Sequence, residues 1–177
     1  MLSSQPVLQT ARLVMDMHGT DDFEAFAGMW ADPRITRHIA GASSSRAESW
    51  SRLLRNTGCW QMLGLGYWAV REAATGRFVG SVGFADLRRD IIPSLDRIPE
   101  IGWVLAPWSH GRGYATEAVL AATGWADANL GHPETVCLID PDNSASLRVA
   151  EKAGYAESGR GVLGNAEPII LRRRRVL

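Results

Sequence analysis

The sequence predicts an α/β protein in which helices cover a mixed β-sheet. Strand-like and helix-like segments follow one another in the order strand, two helices, three strands, helix, strand, helix, strand. Residues 67–72 and 78–85 are joined by a connection that is too short for a helical crossover, which favours a hairpin. A purely parallel sheet is therefore excluded, and a sheet with both antiparallel and parallel neighbours is expected.

The first predicted elements are a short strand and a capped helix. Arg12 to Met17 is predicted to form the strand. Thr20 stands where its hydroxyl can cap a helix over residues 21–29. The acidic pair Asp21 and Asp22 would then lie against the positive end of the helix dipole, where negative charge is favourable.

A second helix is predicted from a capping box. The segment Ser45-Arg-Ala-Glu48 has the required spacing, and the helix is expected to reach about Asn56. The glycines at 58, 64 and 66 are expected to end this helix and to begin the next strand. Cys59 would then lie in a loop.

A hairpin and a third strand complete the central part of the sheet. Tyr67–Glu72 and Phe78–Ala85 are rich in β-forming residues, and Ala73-Ala-Thr-Gly76 is predicted to be the turn between them. Residues 86–98 are expected to form a polar loop. The next strand is predicted over Pro99 to Leu105.

The last part of the chain alternates helices and strands. Alanines at helical spacing predict a helix over Tyr114 to Asn129, followed by Gly131 and Pro133. The remaining predicted elements are a buried strand at Val136 to Ile139, a helix from Asn143 to Lys152 closed by Gly154, and a strand from Tyr155 onward. Asp142 or Asn143 is expected to cap this helix. Because no repeats or linkers are visible, residues 1–177 are expected to form one domain.

Composition is that of a compact protein with one core. The 177 residues are 46% apolar and carry no formal net charge, so no overall field favours nucleic acid or a membrane surface. Cys59 and Cys137 are too few for a disulfide framework or a zinc site. No export signal or membrane-spanning run is seen, and a cytoplasmic location is predicted.

The loop Ser109-His-Gly-Arg-Gly113 lies between a strand that ends before Pro107 and the helix from Tyr114. Gly111 and Gly113 allow backbone conformations that present several N–H groups to one anion, and the helix adds its positive end. A dinucleotide fingerprint would need a third glycine at Thr116, and a P-loop would need a Gly-Lys-Ser/Thr ending. The loop is therefore predicted to bind phosphate, with an ordinary strand-to-helix turn as the alternative.

Three motifs in this region occur together: Glu100-Ile-Gly-Trp-Val-Leu-Ala-Pro107, Gly111-Arg-Gly-Tyr-Ala-Thr-Glu-Ala118 and Asn143-Ser-Ala-Ser-Leu-Arg-Val-Ala-Glu-Lys-Ala-Gly-Tyr155. They resemble the GNAT superfamily of acetyl-CoA-dependent N-acetyltransferases. Within it they are similar to the RimJ/RimL branch, which contains the ribosomal-protein N-terminal acetyltransferases. The resemblance runs from about Arg12 to the end of the chain, and its specific motifs lie between residues 100 and 155.

The resemblance implies a three-layer α-β-α sandwich with a mostly antiparallel sheet. Two adjacent parallel strands at its centre are expected to splay, and Pro107 ends ladder pairing where they separate. Acetyl-CoA is implied as co-substrate, with its pantetheine arm between the splayed strands. The implied binding residues are Val104, Leu105, His110, Gly111, Arg112, Gly113, Tyr114, Ala115, Asn143 and Ser146. Trp108 departs from the family pattern, which often has Gln or Arg there.

An amine acceptor needs a proton-accepting group, because deprotonating an amine of pKa near 10 at pH 7 costs about 4 kcal/mol. Glu100 is the candidate base, since it begins the strand whose alternation places it on one face with Gly102 and Val104. About 13 Å of strand separates Glu100 from Val104, so a water relay is expected. Ser146 is the candidate acid for the departing thiolate. No metal is needed, and no metal-ligand cluster is visible.

The acceptor is expected to be a primary amine, and the branch resemblance points to a protein or peptide N-terminus. A small amine, such as an antibiotic, a polyamine or an amino acid, is the alternative. The loops at 30–43, 57–66 and 86–98 are expected to select the acceptor. An alternative from another class of function is a CoA-binding regulatory module without catalysis. A homodimer is compatible with the sequence.

The run Arg172-Arg-Arg-Arg175 is the strongest local charge in the chain. It is expected to be a solvated strand or tail, because no aromatic residues interleave with it to form a platform for bases. Nucleic acid is therefore not an expected partner. The alternative of an RNA-binding factor predicts binding that depends steeply on salt.

Overall fold

The computed structural model describes residues 6–39 and 42–176. The strands of the described chain are β1 (Leu8–Gln9), β2 (Leu13–Asp16), β3 (Tyr67–Glu72), β4 (Phe78–Ala85), β5 (Ile91–Ile92), β6 (Glu100–Leu105), β7 (Glu134–Ile139), β8 (Ala156–Arg160), β9 (Val162–Leu163) and β10 (Ile169–Arg174). Eight of them form one sheet in the order β1-β2-β3-β4-β6-β7-β10-β8. β5 and β9 pair with each other in a second, two-stranded sheet.

The helices are α1 (Phe23–Ala31), α2 (Pro33–Thr36), α3 (Arg46–Leu63), α4 (Tyr114–Asn129) and α5 (Ser144–Lys152). The capping box predicted for α3 is confirmed, because the Ser45 hydroxyl accepts from the Glu48 N–H and the Glu48 carboxylate accepts from the Ser45 N–H. No helix in the described ranges is both long enough and apolar enough to cross a membrane.

The large sheet is antiparallel except at one pair of strands. β6 and β7 are parallel, and every other neighbouring pair in this sheet runs antiparallel. The predicted hairpin of β3 and β4 is confirmed, with Gly76 at a positive φ of 71° in its turn. The mixed sheet predicted from the sequence is therefore present, and its single parallel pair lies near the middle.

Helices cover both faces of this sheet. Neighbouring residues of β3 show this, because side chains alternate between the faces of a strand. Trp68 packs edge-to-face against Trp125 of α4, with ring centroids 5.1 Å apart. Ala69 belongs to a different buried cluster, together with Phe26 of α1 and Leu53 of α3. The expected three-layer α-β-α arrangement is confirmed.

Two predictions about the first helices are wrong. Thr20 does not cap α1, because a 3-10 turn runs from Thr20 to Asp22 and α1 begins at Phe23. Gly58 does not end α3, which continues through it to Leu63 and ends at Gly64 with a positive φ of 68°. Cys59 therefore lies in a helix, and most of the expected acceptor loop at 57–66 is helical. The other expected acceptor loop, 30–43, includes residues 40–41 outside the described ranges.

The arginine run near the end of the chain is part of the sheet. Arg172 to Arg174 belong to β10, which lies between β7 and β8. The Arg172 guanidinium pairs with the Glu134 carboxylate, and Arg173 makes a bidentate pair with Asp127 at 2.6 and 2.7 Å. The Arg175 side chain donates to the Asp127 carbonyl oxygen. Much of this positive charge is therefore paired or hydrogen-bonded within the fold, and the run forms part of a strand, one of the two expected forms.

Two glycine substitutions should have opposite effects on stability. Gly80 lies on β4, where an added Cβ would come within 2.3 Å of the Val104 carbonyl oxygen on β6. We expect Gly80→Ala to lower the free energy of unfolding by about 2 kcal/mol or more, because backbone must move. Gly58→Ala is the matched control in the interior of α3, with no atom within 4 Å of the new Cβ.

Gly58→Ala should raise the free energy of unfolding by about 0.5–1 kcal/mol, because alanine loses less backbone entropy than glycine in a helix. Urea unfolding of both variants measures the two effects. Equal stability of the Gly80→Ala variant and the wild type would contradict the close approach of β4 and β6.

Candidate functional site

A glycine-containing loop connects β6 to α4. After a 3-10 turn at Pro107–Ser109, Gly111 and Gly113 adopt positive φ angles of 73° and 78°. Residues with a Cβ rarely adopt this conformation, which explains both glycines. The first helical hydrogen bond of α4 runs from the Glu117 N–H to the Gly113 carbonyl oxygen (3.1 Å). The N–H groups of residues 114–116 precede that bond, so they are placed to bind an anion.

His110 holds the loop in shape. Its backbone N–H donates to the Pro107 carbonyl oxygen (3.2 Å), and its ring Nε2–H donates to the Leu105 carbonyl oxygen (2.9 Å). The His110 N–H, which was expected to meet a phosphate, therefore already has an acceptor inside the loop. Its contribution to the site is to fix the path of the backbone between β6 and the glycines.

The loop is also tied to the neighbouring strands. Arg112 forms an ion pair with Glu72 of β3 at 3.3 Å, and the same carboxylate accepts from the Tyr114 hydroxyl. On the other side, Arg12 donates to the Arg112 carbonyl oxygen and pairs with Glu117 of α4. These contacts limit the movement of the loop, so its N–H groups are held in place before any ligand binds.

Strands β6 and β7 are paired at one position only. Glu100 lies opposite Val136, and the Val136 N–H donates to the Pro99 carbonyl oxygen (3.0 Å). β6 and β7 continue to Leu105 and Ile139 without further pairing between them. The expected splay of the two parallel strands is therefore confirmed, but the strands separate directly after Glu100 and Val136 and not at Pro107, where the separation was predicted.

The backbone of β6 exposes N–H groups to this gap. Ala106, just after β6, donates its N–H to the carbonyl oxygen of Val79 on β4 (2.8 Å). Because successive residues of a strand direct their backbone groups to opposite sides, the N–H groups of Trp103 and Leu105 face away from β4. They point toward the gap beside β7, where they are available to a ligand.

A cavity of about 880 Å³ opens beside the gap. Strands β6 and β7, helices α1 and α3 and the segment before β10 supply its walls. Val104, Asn143 and Ser146 line it, together with Glu100. Leu105 and the loop residues 110–115 are not among the lining residues, so the predicted binding residues divide between the cavity and the adjoining loop.

Glu100 is a buried member of the cavity wall. It is 9% exposed, and its two carboxylate oxygens accept from the Arg89 Nε–H (3.1 Å) and a terminal N–H of the same guanidinium (3.0 Å). The Tyr67 hydroxyl lies over Gly102, where an added Cβ would come within 2.3 Å of it. Burial, and secondarily the charge of Glu100, raises the pKa of Tyr67, which therefore keeps its proton at neutral pH.

Asn143 and Ser146 lie together at the start of α5. The Asn143 side-chain oxygen accepts from the Ser146 N–H (3.1 Å), so the predicted capping role of Asn143 is confirmed. Both residues also line the cavity. The cap leaves the Ser146 hydroxyl outside this hydrogen bond, and its role in proton transfer stays a prediction.

A buried histidine, His18, contacts the wall of the cavity and was not predicted from the sequence. His18 is 5% exposed, and its Nε2 lies 2.8 Å from the hydroxyl of Ser81, a cavity residue. The Asn56 side chain reaches the same hydroxyl at 3.5 Å. Burial lowers the pKa of His18 to about 4, with Arg71 lowering it further and Asp22 opposing the shift. His18 is therefore neutral at pH 7.

His38 also has a partner that the sequence did not suggest. Its Nδ1 lies 3.0 Å from the Asp140 carboxylate, and both residues line the cavity. This contact joins the end of the α2 segment to the segment after β7. Across residues 6–39 and 42–176, no group of three or more His, Cys, Asp or Glu side chains is arranged to hold a metal ion.

Comparison with known proteins identifies the family and the fold. Residues 12–156 match the family model described as "Acetyltransferase (GNAT) domain". The chain belongs to the GNAT acetyltransferase family, whose members carry out acetyl-CoA-dependent N-acetylation. The "Uncharacterized protein YkkB" of Bacillus subtilis is 30% identical over 145 residues, which span 78% of this chain and 77% of that protein. A "Putative GnaT-family acetyltransferase from Bordetella pertussis" is 29% identical, with a TM-score of 0.83 over 96% of this chain and 99% of that one.

Two more distant solved structures contain ligands. RimL, titled a ribosomal L7/L12 alpha-N-protein acetyltransferase in complex with coenzyme A, is 13% identical with a TM-score of 0.77, covering 96% of this chain and 98% of that chain. AAC(6')-Ib, in complex with paromomycin and acetyl-CoA, is 16% identical with a TM-score of 0.74, covering 92% and 93%. At these identities the likeness establishes the fold alone.

The buried His18 should make stability depend on pH. Its pKa is about 4 in the folded protein, against the ordinary histidine value of 6.5 that applies to the unfolded chain. The unfolded chain therefore binds more protons between these two pH values. The full contribution of His18 to the free energy of unfolding is present above pH 6.5 and is lost as the pH falls toward 4. We expect a loss of about 3 kcal/mol from this residue.

His18→Gln keeps a side-chain group that can hydrogen-bond to Ser81, because an amide both donates and accepts, but it does not titrate. The difference in free energy of unfolding between pH 7 and pH 4.5, measured with urea, should be smaller in this variant than in the wild type. His132→Gln removes a histidine outside this network and should keep the wild-type difference. Equal differences in all three proteins would refute a neutral buried His18.

Proposed function

We propose that the protein transfers an acetyl group from acetyl-CoA directly to a primary amine held in the cavity, and that this amine is the N-terminus of a protein or peptide. The observation that carries the proposal is the opening of β6 and β7 beyond Glu100 and Val136, next to a cavity of about 880 Å³. Val104 lies on the strand that borders both spaces. A thioester placed in the gap would therefore meet an amine placed in the cavity.

The donor-binding residues follow from this arrangement. The loop N–H groups after Gly111 suit a pyrophosphate, because they lie at a helix N-terminus in a backbone held by Arg12 and Glu72. The unpaired backbone of β6 suits the amide groups of a pantetheine arm. The proposed set is Val104, Leu105, Gly111, Arg112, Gly113, Tyr114, Ala115, Asn143 and Ser146, with His110 shaping the loop.

Glu100 would act as the base. The amine nitrogen attacks the thioester carbonyl carbon, and Glu100 accepts the amine proton through water while the carbon–sulfur bond breaks. The N–H of Trp103 or Leu105 would donate to the developing oxyanion, since both face the gap. The Ser146 hydroxyl would give a proton to the thiolate, directly or through water, and recover it from solvent. The proposed transfer involves no redox step and no metal.

The choice of acceptor rests on resemblance to the RimJ/RimL branch. RimL shares the fold and is titled an acetyltransferase of a ribosomal-protein α-amine. The alternative, a small amine, is favoured by the equally similar fold of AAC(6')-Ib, which was solved with an aminoglycoside. Since both proteins share only the fold with this chain, acceptor selection must lie in the cavity side chains.

The phosphate loop can be tested through ligand-induced stability. A ligand that binds only the folded state at 100 times its Kd adds about 2.7 kcal/mol. We expect acetyl-CoA to raise the Tm of the wild type and to raise that of Gly111→Val much less, because a branched residue disfavours the positive φ of the loop.

Gly76→Val is the matched control for this test. Gly76 has nearly the same φ, 71° against 73°, and an added Cβ at either position meets no atom within 4 Å. It lies in the β3–β4 turn, so the variant should lose similar stability yet keep the acetyl-CoA shift. Equal ligand shifts in the wild type and both variants would exclude the loop as the phosphate site.

The role of Glu100 can be separated from its ion pair. Glu100→Gln should lower kcat by about 100-fold or more, because general-base catalysis commonly contributes that much. Its acetyl-CoA-induced rise in Tm should persist. Arg89→Gln breaks the same ion pair but keeps the carboxylate, and should retain most of the turnover.

Acetylation of peptide N-termini is the assay for both variants. Similar losses in the two variants would assign Glu100 a structural role in the Arg89 pair. Binding of acetyl-CoA by a wild type that acetylates neither peptide nor small amines would favour the non-catalytic CoA-binding module.

A further inference from the structure

One end of the cavity is rich in arginine. We call this the acceptor end, because it is formed by α1, α3 and the segment after α2, whereas the predicted donor-binding residues belong to β6, the glycine loop and the start of α5. Arg37, Arg52 and Arg55 line it, together with Trp30 and Asn56. Arg52 and Arg55 are three residues apart on α3, so their side chains lie on the same side of the helix.

These three arginines have no carboxylate partners in the described structure. The other basic cavity residues are matched, since Arg89 pairs with Glu100 and His38 lies against Asp140. None of the ion pairs within residues 6–39 and 42–176 includes Arg37, Arg52 or Arg55. Glu167, an exposed residue, is the remaining carboxylate of the cavity lining. The acceptor end therefore has an excess of positive charge.

Arg52 is held in a defined position. Its guanidinium lies 3.8 Å from the centroid of the Trp30 ring, and one N–H donates to the Ser44 hydroxyl (3.0 Å). A guanidinium has five N–H donors, so most of them remain for a ligand. Burial, and secondarily the charge of Arg55, lowers the pKa of Arg52, while Glu48 acts in the opposite direction. A bound anion would offset both unfavourable effects.

Trp30 supplies a second unsatisfied donor at the same place. Its side chain is buried at 6% exposure, and its Nε1–H has no acceptor among the described residues. Buried polar groups of this kind are rare in folded proteins and commonly mark a site for a ligand or water. The donor belongs to the ring on which Arg52 stacks, so both observations concern one location.

We propose that the acceptor end is a carboxylate-binding subsite, in which Arg52 and Arg55 bind an anionic group of the same molecule that presents its amine to Glu100. This inference rests on the proposed N-acetyltransferase function and adds the chemical class of the acceptor. An acidic peptide N-terminus fits it, and so does an amino acid whose own carboxylate supplies the charge. Polycationic amines, such as polyamines and aminoglycosides, are disfavoured because the three arginines repel them.

The experiment compares acceptors that differ only in charge. Three C-terminally amidated hexapeptides begin with the same serine and carry glutamate, glutamine or lysine at their second and third positions. Free serine and serinamide form a second pair that differs only in the α-carboxylate. Initial rates with acetyl-CoA give kcat/KM for each acceptor, and calorimetry in the presence of CoA gives the affinity for each peptide without requiring turnover.

The variants are Arg52→Gln, Arg55→Gln and their combination. Arg46→Gln is the matched control, because Arg46 also lies on α3 and loses the same charge, but it pairs with Glu24 and does not line the cavity. Thermal unfolding of each variant with and without acetyl-CoA shows whether folding and donor binding are kept.

We expect the wild type to prefer a carboxylate-bearing acceptor over its neutral match by at least about tenfold in kcat/KM or affinity. The double variant should lose this preference, because its kcat/KM or affinity for the acidic acceptor falls. Its values for the neutral acceptor and its acetyl-CoA-induced rise in Tm should stay close to those of the wild type. A preference for the glutamate peptide over the glutamine peptide would assign the subsite to a peptide side chain. A preference for serine over serinamide would assign it to an α-carboxylate.

Three outcomes would overturn the proposal. The first is acetylation or binding without any charge preference. The second is an equal loss for acidic and neutral acceptors in the double variant. The third is a loss of the acetyl-CoA shift, which would assign the arginines to the phosphates of the donor. Absence of acetylation of every acceptor would instead contradict the proposed function, and the calorimetric preference would still decide the subsite.

Discussion

The arrangement of the site depends on the single point at which β6 and β7 pair. With one residue pair at Glu100 and Val136, the two central strands begin together and then separate. The sheet continues on both sides, because β6 still pairs with β4 and β7 still pairs with β10. The N–H groups of Trp103 and Leu105 therefore have no partner strand, although β6 lies inside an otherwise continuous sheet. Backbone groups of this kind need another partner, and a ligand with amide groups can provide it.

Much of the fold could be predicted because local chemistry decided it. The capping box at Ser45 and the Gly76 turn depend on neighbouring residues, and both are found where the sequence placed them. The length of α3 could not be predicted in this way. Gly58 weakens a helix locally, but Trp60 in the next turn packs against Trp68 and Trp125 and so favours continuation. The pairing of β5 with β9 joins segments about 70 residues apart, which no local pattern reveals.

The candidate site divides in the same way. Gly111, Gly113 and the Asn143 cap are visible in the sequence, because turn geometry and capping restrict the residue types. The contact of His18 with Ser81 joins residues 63 positions apart, and it is formed by the folded core. The unpaired state of Arg52 is equally invisible, since a sequence shows a charge but not whether a carboxylate lies nearby. Residue type was thus predictable where backbone conformation determined it, whereas the electrostatic surroundings were not.

The two helical layers have a consequence for how acceptor preference can change. Arg52 and Trp30 lie on the α1–α3 side, whereas the glycine loop continues into α4, whose residues pack in a separate core cluster on the opposite face. Effects of substitutions at sites that are not in contact are usually additive. If the proposed assignment holds, acceptor preference could change through a few residues of α2 and α3 without any change in the glycine loop. On the proposed assignment, the sheet separates the residues that bind the acetyl donor from those that select the acceptor.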